Sequence, residues 1–377
     1  MSNILTSTSL YSTTQVRELD RIVIKEFCIS GYELMQRAGR FSFEILKKTY
    51  PDEFKFNVIC GCGNNAGDGY VLAKLAIEDD DTNMVRIFNC FNPEKLKGDA
   101  KRAYQDLLTL DPDVRDFYSN DGMSKNLERE QEIATGSPSY WHVYVDAIFG
   151  TGLTRDIDNE NLVSFIKMIN GARYSQILSI DIPSGINADT GSIMGVAVNA
   201  DVTATFMGKK RGMYTHDGLE YSGQIVFNDL DIPYKSYRQL EPDCCIVDYD
   251  NYYKLKLNAR KRNSHKGDFG HVLIIGSDEG YLGATRMVAE AAMRIGAGLV
   301  SVATRKSHAA QLSIAVPEIM SHGVETLDEL MPLIKRANVI AIGPGLGQSE
   351  WAKLLFARVL ESDLPIIIDA DGLNLLA

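Results

Sequence analysis

The sequence predicts two α/β domains in succession, each built around a mostly parallel sheet. Apolar runs near Phe56, Val85, His142, Ile177 and Val202 alternate with helical stretches near Val71, Ala100 and Leu162, the order of an α/β domain. The same order restarts at Gly270-His-Val-Leu-Ile-Ile-Gly-Ser277. A chain of 377 residues has room for two such domains.

Residues 13–27 place Val16, Leu19, Ile22, Val23 and Phe27 on one side of a helix, with Thr13 and Thr14 as its N-caps. A second helix is expected over 32–49. The first domain is then organised around Asn57-Val-Ile-Cys-Gly-Cys-Gly-Asn-Asn-Ala-Gly-Asp-Gly69. Its start, 56–60, reads as a buried strand, and Val71, Leu72, Leu75 and Ala76 beyond it have helical spacing. Glycines in such a turn allow positive φ and close backbone approach, and a helix N-terminus leaves N–H groups free for an anion. The asparagines and the aspartate add donors and oxygens that a plain phosphate cradle does not need, so the stretch reads as the wall of a ligand site.

Gly61-x-Gly63-x-x-Ala66 also fits the loose dinucleotide fingerprint, which wants an acid at the end of the next strand. That strand, 84–88, runs into Asn89-Cys90, and the acidic run 79–81 falls earlier in a connecting loop. A nicotinamide dehydrogenase is therefore disfavoured. Residues 110–138 are polar and acidic without a period, an irregular connection. The first pattern ends near Asp229-Leu-Asp-Ile-Pro233, which divides the chain into domains 1–236 and 237–377. Residues 242–264 form a bridge with a basic cluster at Arg260-Lys-Arg262. The second domain is expected to hold a helix at 285–295 and strands at 299–304, 339–342 and 365–369. The sequence stops at Ala377, inside the helix that should follow. A parallel sheet is covered on both faces, so the expectation is an unfinished domain whose edge invites a second copy or a complementing chain.

Hydrophobic content of 45% and charged content of 24% are those of a soluble globular protein. A net charge of −11 opposes nucleic acid or an anionic membrane as the main partner. No apolar run is long enough to span a bilayer. The six cysteines include no CxxC pair, so zinc spacing is absent and a reduced, cytoplasmic setting is expected.

Further polar loops lie at predicted strand ends, where α/β sheets place ligands: 145–156, 179–185, and 201–205 leading to Lys209. Asp146 and Asp181 each directly follow apolar strand residues. With Asn65 and Ser184 they offer hard oxygen ligands suited to magnesium or a monovalent cation. Any one of them reads equally as a helix or turn cap; together they make a site.

Gly63-Asn-Asn-Ala-Gly-Asp-Gly69, Val145-Asp-Ala-Ile-Phe-Gly-Thr-Gly152 and Ile180-Asp-Ile-Pro-Ser-Gly185 resemble, in order and spacing, the NAD(P)H-hydrate epimerase family. Gly270 to Ser277, Gly296-Ala-Gly-Leu-Val300, Gly343-Pro-Gly-Leu-Gly347 and Asp369-Ala-Asp-Gly-Leu-Asn374 resemble the NAD(P)H-hydrate dehydratase family. Both in one chain resemble the bifunctional repair enzymes. The resemblance implies an α/β fold: a Rossmann-like α/β/α sandwich N-terminal domain, then an incomplete ribokinase-like α/β domain.

It also implies epimerisation of R and S hydrated NADH or NADPH, with a potassium ion held by Asn65, Asp146 and Ser184. Asn64, Asn65, Ala66, Gly67 and Asp68 would contact the hydrated dinucleotide, as would Gly150, Thr151, Gly152, Leu153, Thr154, Arg155, Asp156 and Asp181. Ala66 stands where the family usually has glycine. Inversion breaks and remakes a bond at the carbon bearing the added hydroxyl, so an acid–base group is required. Asp181 and Asp156 are the candidates for that role, with Lys97 weighed against a solvated helix-start lysine.

In the second domain the resemblance implies ADP- or ATP-dependent dehydration of the S form, with Ala284 and Gly345 at the hydrated dinucleotide. The family's His-Pro-Gly-Glu loop, its nucleotide-binding lysine stretch and its Gly-Thr-Gly-Asp motif do not occur in these residues. The expectation is thus an epimerase joined to an incomplete dehydratase, with His271 a strand residue and no replacement base. The alternative from another class is a non-catalytic nucleotide-binding or scaffold protein that needs a partner chain. A small-molecule kinase is disfavoured, because phosphoryl transfer needs an anion-stabilising loop that the sequence lacks.

Overall fold

A computed structural model describes residues 8–50, 54–79, 85–116, 141–172, 175–247 and 259–377. The chain divides into two compact units, 1–254 and 255–377.

In the first unit, strand β1 (Ser9–Tyr11) leads into helices α1 (Thr13–Glu26) and α2 (Gly31–Thr49). The N-cap of α1 is Ser12, one residue ahead of the threonines expected. Its hydroxyl accepts from the Gln15 N–H while the Gln15 amide oxygen accepts from the Ser12 N–H, which satisfies two end groups reciprocally. There follow β2 (Phe54–Cys60), α3 (Asn64–Asp79), β3 (Val85–Asn89), α4 (Gly98–Leu108), β4 (Asp113–Asp116), β5 (Trp141–Ala147), α5 (Glu160–Gly171) and β6 (Ser175–Ile180). The unit continues with β7 (Val202–Phe206), β8 (Lys209–Lys210), β9 (Gln224–Asn228) and β10 (Cys244–Cys245).

The main sheet has seven strands in the order β4-β3-β2-β5-β6-β7-β9, all neighbours parallel. The chain moves outward from β2 through β3 and β4, then returns to the other side of β2 as β5. That reversal makes the β2/β5 boundary the switch point, where the loops after adjacent strands diverge and leave a crevice.

Residues alternate between the two faces with period 2. Val58, Ile87, Val145, Leu178 and Ala204 pack with α1 to α4, while Ile59, Phe88, Tyr144 and Ile177 pack with α5. Burial on both faces is what an α/β/α sandwich requires.

Two boundaries differ from those expected. Residues 113–116 form an edge strand within the stretch read as irregular; four residues with one aliphatic, Val114, are too short to show a period, and 117–138 lie outside the described residues. β10 pairs antiparallel with β1, which pairs parallel with β8, so residues beyond 236 join strands of the first unit and the expected boundary at 236/237 falls early.

The second unit runs β11 (His271–Ile275), α6 (Leu282–Ile295), β12 (Leu299–Thr304), α7 (Lys306–Ala315), β13 (Met320–Gly323), α8 (Leu327–Ile334), β14 (Val339–Ile342), α9 (Glu350–Leu360), β15 (Ile366–Ile368) and α10 (Asp371–Leu376). Its five strands are parallel in the order β13-β12-β11-β14-β15. Leu273, Ile275, Ile340 and Ile342 pack with α8 and α9, and Ile274, Val300 and Val302 with α6 and α7. His271 opens β11 and bonds Ser301, as a strand residue does. Among the described residues no helix is long and apolar enough to cross a membrane. All six cysteines are free thiols.

Candidate functional site

The switch point of the first sheet opens into a cleft of about 570 Å³. Its walls are α1, α2, the entry to α3, the loop after β5, and residues that follow β6 and β7. The loops after β2 and β5 cross with no room between them: a Cβ on Gly61 would lie 1.9 Å from the Ile148 carbonyl oxygen.

Behind the cleft, Asp146 is fully buried at the end of β5. One carboxylate oxygen accepts from Ser184 Oγ at 2.5 Å and the Ile148 N–H at 3.3 Å; the other accepts from the Ser184 N–H and Ser179 Oγ, both at 2.8 Å. Burial pushes the carboxyl up from its usual range, and these bonds oppose the shift without cancelling it. Ser184 Oγ in turn accepts from the Phe149 N–H at 2.9 Å, which ties the loop after β6 to the loop after β5.

Asn65, in the first turn of α3, is buried, yet neither its amide oxygen nor its amide nitrogen has a hydrogen-bond partner. An unpaired buried amide costs on the order of 1–3 kcal/mol per group unless something outside the protein satisfies it.

Asp181 follows β6 with φ of +71°, a left-handed conformation that costs a non-glycine residue about 1 kcal/mol or more. One carboxylate oxygen is paired with Lys210 Nζ, and the other accepts from the Thr151 N–H at 3.2 Å. Gly150 is required beside it, because a Cβ there would lie 2.7 Å from Asp181 Oδ2 and 3.5 Å from Asn65. The Lys210 ammonium is fully buried and also donates to Thr205 Oγ1 at 2.9 Å and the Phe206 carbonyl at 3.3 Å. Asp20 of α1 and Asp68 of α3 line the same cleft. Burial raises both carboxyls; neighbouring Asp181 raises them further, and Lys210 pulls them partly back.

Of the residues expected at a ligand, Asn64, Asn65, Asp68, Gly150, Thr151, Gly152, Leu153 and Asp181 line the cleft. Ala66 and Gly67 turn away from it. The Ala66 methyl is in the core, and a Cβ on Gly67 would meet Met35 Sδ at 2.5 Å. Thr154, Arg155 and Asp156 are exposed and do not line the cleft, and Lys97 is the exposed N-cap of α4. Asn89, where a dinucleotide fold would place its ribose-binding acid, is buried and accepts from the Tyr70 hydroxyl at 2.8 Å.

The sequence reading missed Arg17, Asp20, Asp99 and Lys210, all in the cleft wall. For Lys210 the signal was present, since the run 201–205, read as a strand-end loop but forming β7 itself, was followed as far as Lys209. Asp20 gave none, being one polar residue on an amphipathic helix.

In the second unit, strand-end loops also converge. Gly345 has φ of +61°, and a Cβ on it would lie 3.0 Å from the Ala284 Cβ, so the two positions expected at the dinucleotide are adjacent. Beside them Asp278 accepts from Arg305 Nε at 2.7 Å and Ser349 Oγ at 2.5 Å. Arg305 also reaches Glu325 at 2.6 Å and lies over the Trp351 ring at 4.5 Å. Burial pushes Asp278 up, but the bonds from Ser349 and Arg305 outweigh it and hold the carboxyl below the usual range.

The family model described as YjeF-related protein N-terminus matches residues 31–212, and the model described as NAD(P)H-hydrate dehydratase matches 272–377. The bifunctional NAD(P)H-hydrate repair enzyme Nnr of Coxiella burnetii is 41% identical over 372 residues, 98% of this chain and 71% of that protein. The chain belongs to the family of bifunctional NAD(P)H-hydrate repair enzymes. Another of these repair enzymes, that of Escherichia coli, is 35% identical over 374 residues, 98% of this chain and 67% of its own length. The yeast protein YNL200c shares the fold, at a TM-score of 0.50 and 20% identity over 62% of this chain and 94% of that one. In this member of the repair-enzyme family, the first matched span holds Asn65, Asp146, Asp181, Ser184 and Lys210, whereas Asp20 precedes it.

Proposed function

We propose that the first unit epimerises the R and S forms of hydrated NADH and NADPH. The observation that carries this reading is the pairing, in one switch-point cleft, of a buried Asn65 amide without partners and the Asp181–Lys210 ion pair. The first is a waiting ligand group, and the second is a charged pair placed where substrate can reach it. Asp181 would orient the hydrated nicotinamide, and Asn64, Asp68 and Gly150 to Leu153 would contact the dinucleotide. Asp156 and Lys97 lie outside the cleft wall, which favours Asp181 among the acid–base candidates.

The residues behind the cleft fit a potassium ion. Asn65 Oδ1 has no partner, and the Asp146 carboxylate and Ser184 hydroxyl are hard oxygens linked to it through the Phe149–Gly150 turn. These three side chains would hold the ion, which when bound supplies positive charge beside a buried carboxylate. In the second unit, Ala284 and Gly345 would face hydrated dinucleotide, with ADP or ATP as the co-substrate of dehydration.

The test follows both isomers of hydrated NADH by chromatography, with and without potassium and ADP. Equilibration of the isomers that is faster with potassium is expected. Two unchanged isomers would sink the epimerase reading and leave dinucleotide binding without turnover. Return of NADH on adding ADP would show that the second unit dehydrates as it stands.

A further inference from the structure

The cleft holds a charged cluster of which the proposed ligand set uses only Asp68 and Asp181, leaving Lys210 and Asp20 without a part. Lys210 Nζ is buried with its three hydrogens directed to Asp181, Thr205 Oγ1 and the Phe206 carbonyl. Around this one ammonium stand Asp181 and, from two other elements, Asp20 and Asp68. Lys210 is the buried cation of this cleft, Arg17 being exposed, and it stands against three carboxylates; like charges at short range and low dielectric favour a proton among them. Asp181 is the carboxylate that pairs directly with the lysine and takes the Thr151 N–H, whereas Asp20 and Asp68 line the same cleft without an ion pair to that lysine. Burial pushes the carboxyls of those two up, and Asp181 adds to the shift. Asp20 lies across the cleft on α1, and the partnerless Asn65 amide marks the same cleft as built for an external ligand.

We propose that Asp20 is the proton-carrying group of the epimerisation, and that Lys210 is the positioning residue that holds the Asp181 carboxylate in the same cleft. This rests on the epimerase reading and adds to it a residue from outside the span matched by the family model.

The step balances without a further reagent. The bond between the ring carbon and its added hydroxyl breaks with both electrons passing to oxygen, while Asp20 gives its proton to that oxygen and water leaves. The lone pair of the adjacent ring nitrogen stabilises the cationic carbon. Water then adds to the opposite face and gives a proton to the Asp181 carboxylate there, and that proton passes through solvent back to the Asp20 carboxylate. No electrons are lost or gained, and only the configuration changes.

Such a donor works only while protonated. The Asp20 carboxyl is raised by burial and by Asp181, so the rate should fall as pH rises through that raised value. The charged and titratable groups facing it are Arg17 on its own helix, Asp68, Asp99, Asp181, Lys210 and Cys62.

The experiment is the pH profile of isomer equilibration for the wild type, Asp20→Asn and Asp20→Glu, all in potassium. D20N should lower kcat by roughly 100-fold or more with little change in KM, and should remove the high-pH limb. D20E should restore most of the rate and keep the limb at a shifted position. Either of two results overturns the proposal: D20N within about threefold of wild type with the limb intact, or D20E as slow as D20N with the limb in the wild-type place. Should D20N fail to fold by circular dichroism, D20E and the wild-type profile decide, and a wild type without a high-pH limb refutes the role. If the wild type itself equilibrates nothing, the epimerase reading falls first; an active wild type beside an unaffected D20N overturns this inference alone.

Discussion

The two units place charged groups at the same kind of position, the carboxyl ends of parallel strands, and use them differently. In the second unit, Asp278, Arg305, Glu325 and Ser349 satisfy one another, and Trp351 covers the guanidinium. In the first unit the cation is outnumbered by carboxylates and an amide is left unpaired. A closed network of this kind is a fastener, because every partner gained on folding is already inside the protein. An open one leaves polar groups for water or a ligand to satisfy. The difference separates structural charge from ligand-directed charge within one chain.

The comparison is tested most severely by Lys210→Met. Removing the cation leaves Asp181 facing Asp20 and Asp68, and breaking a buried pair in this way costs about 3–5 kcal/mol. Urea unfolding followed by far-UV circular dichroism should show it. Because Asp20 and Asp68 are already raised, the loss should begin to shrink above the ordinary carboxylate range as pH falls and those groups take up protons. An undiminished loss at mildly acid pH would count against the shared-proton cluster.

Arg305→Ala should destabilise the second unit by about 2–3 kcal/mol, read from Trp351, and leave isomer equilibration unchanged. Its pH window is different. Asp278 and Glu325 are held below their usual values, so their contribution is complete above the ordinary carboxylate range and is lost only as pH falls through the depressed values. The smallest stability effect belongs to Asn65→Ala. With no bonds to lose, it should change unfolding by under about 1 kcal/mol in potassium-free buffer, yet abolish activation by potassium. A loss of 2 kcal/mol or more in that buffer would make the amide structural and erase the contrast.

Most of the architecture was legible because burial on both faces writes itself as short apolar runs between helical periods. The runs near 56, 142, 177 and 202 each fall on a strand of the first sheet. Part of what escaped detection had no period to show: β4 is four residues long, and α7 buries only His308 and Leu312, too few for a stripe. Helices α8 and α9 do carry an apolar face, at Leu330, Leu333 and Ile334 and at Trp351, Leu355 and Val359, and went unread. At the candidate site, glycine spacing and strand-end aspartates pointed to loops that line the cleft, since those residues are dictated by local backbone geometry. Ala66 illustrates the limit. The resemblance put it among the residues contacting the dinucleotide, but the helix begins at Asn64 and turns that methyl into the core. Asp20 and Lys210 meet only through tertiary packing, which no local pattern records.

The small sheet β10-β1-β8 has a bearing on how the protein is made. Leu10 pairs with Lys209 and Tyr11 with Lys210, while Ser9 pairs with Cys245. Immediately beyond, the Thr13 N–H bonds Asp189 and the Gln15 side chain bonds the Glu241 carbonyl. The helix that carries Asp20 is thus fastened to segments synthesised much later, contacts of the long-range kind that form slowly. On the ribosome this helix must wait, unfastened and with Leu19, Ile22 and Val23 uncovered, until strands of its own unit made much later emerge to receive it.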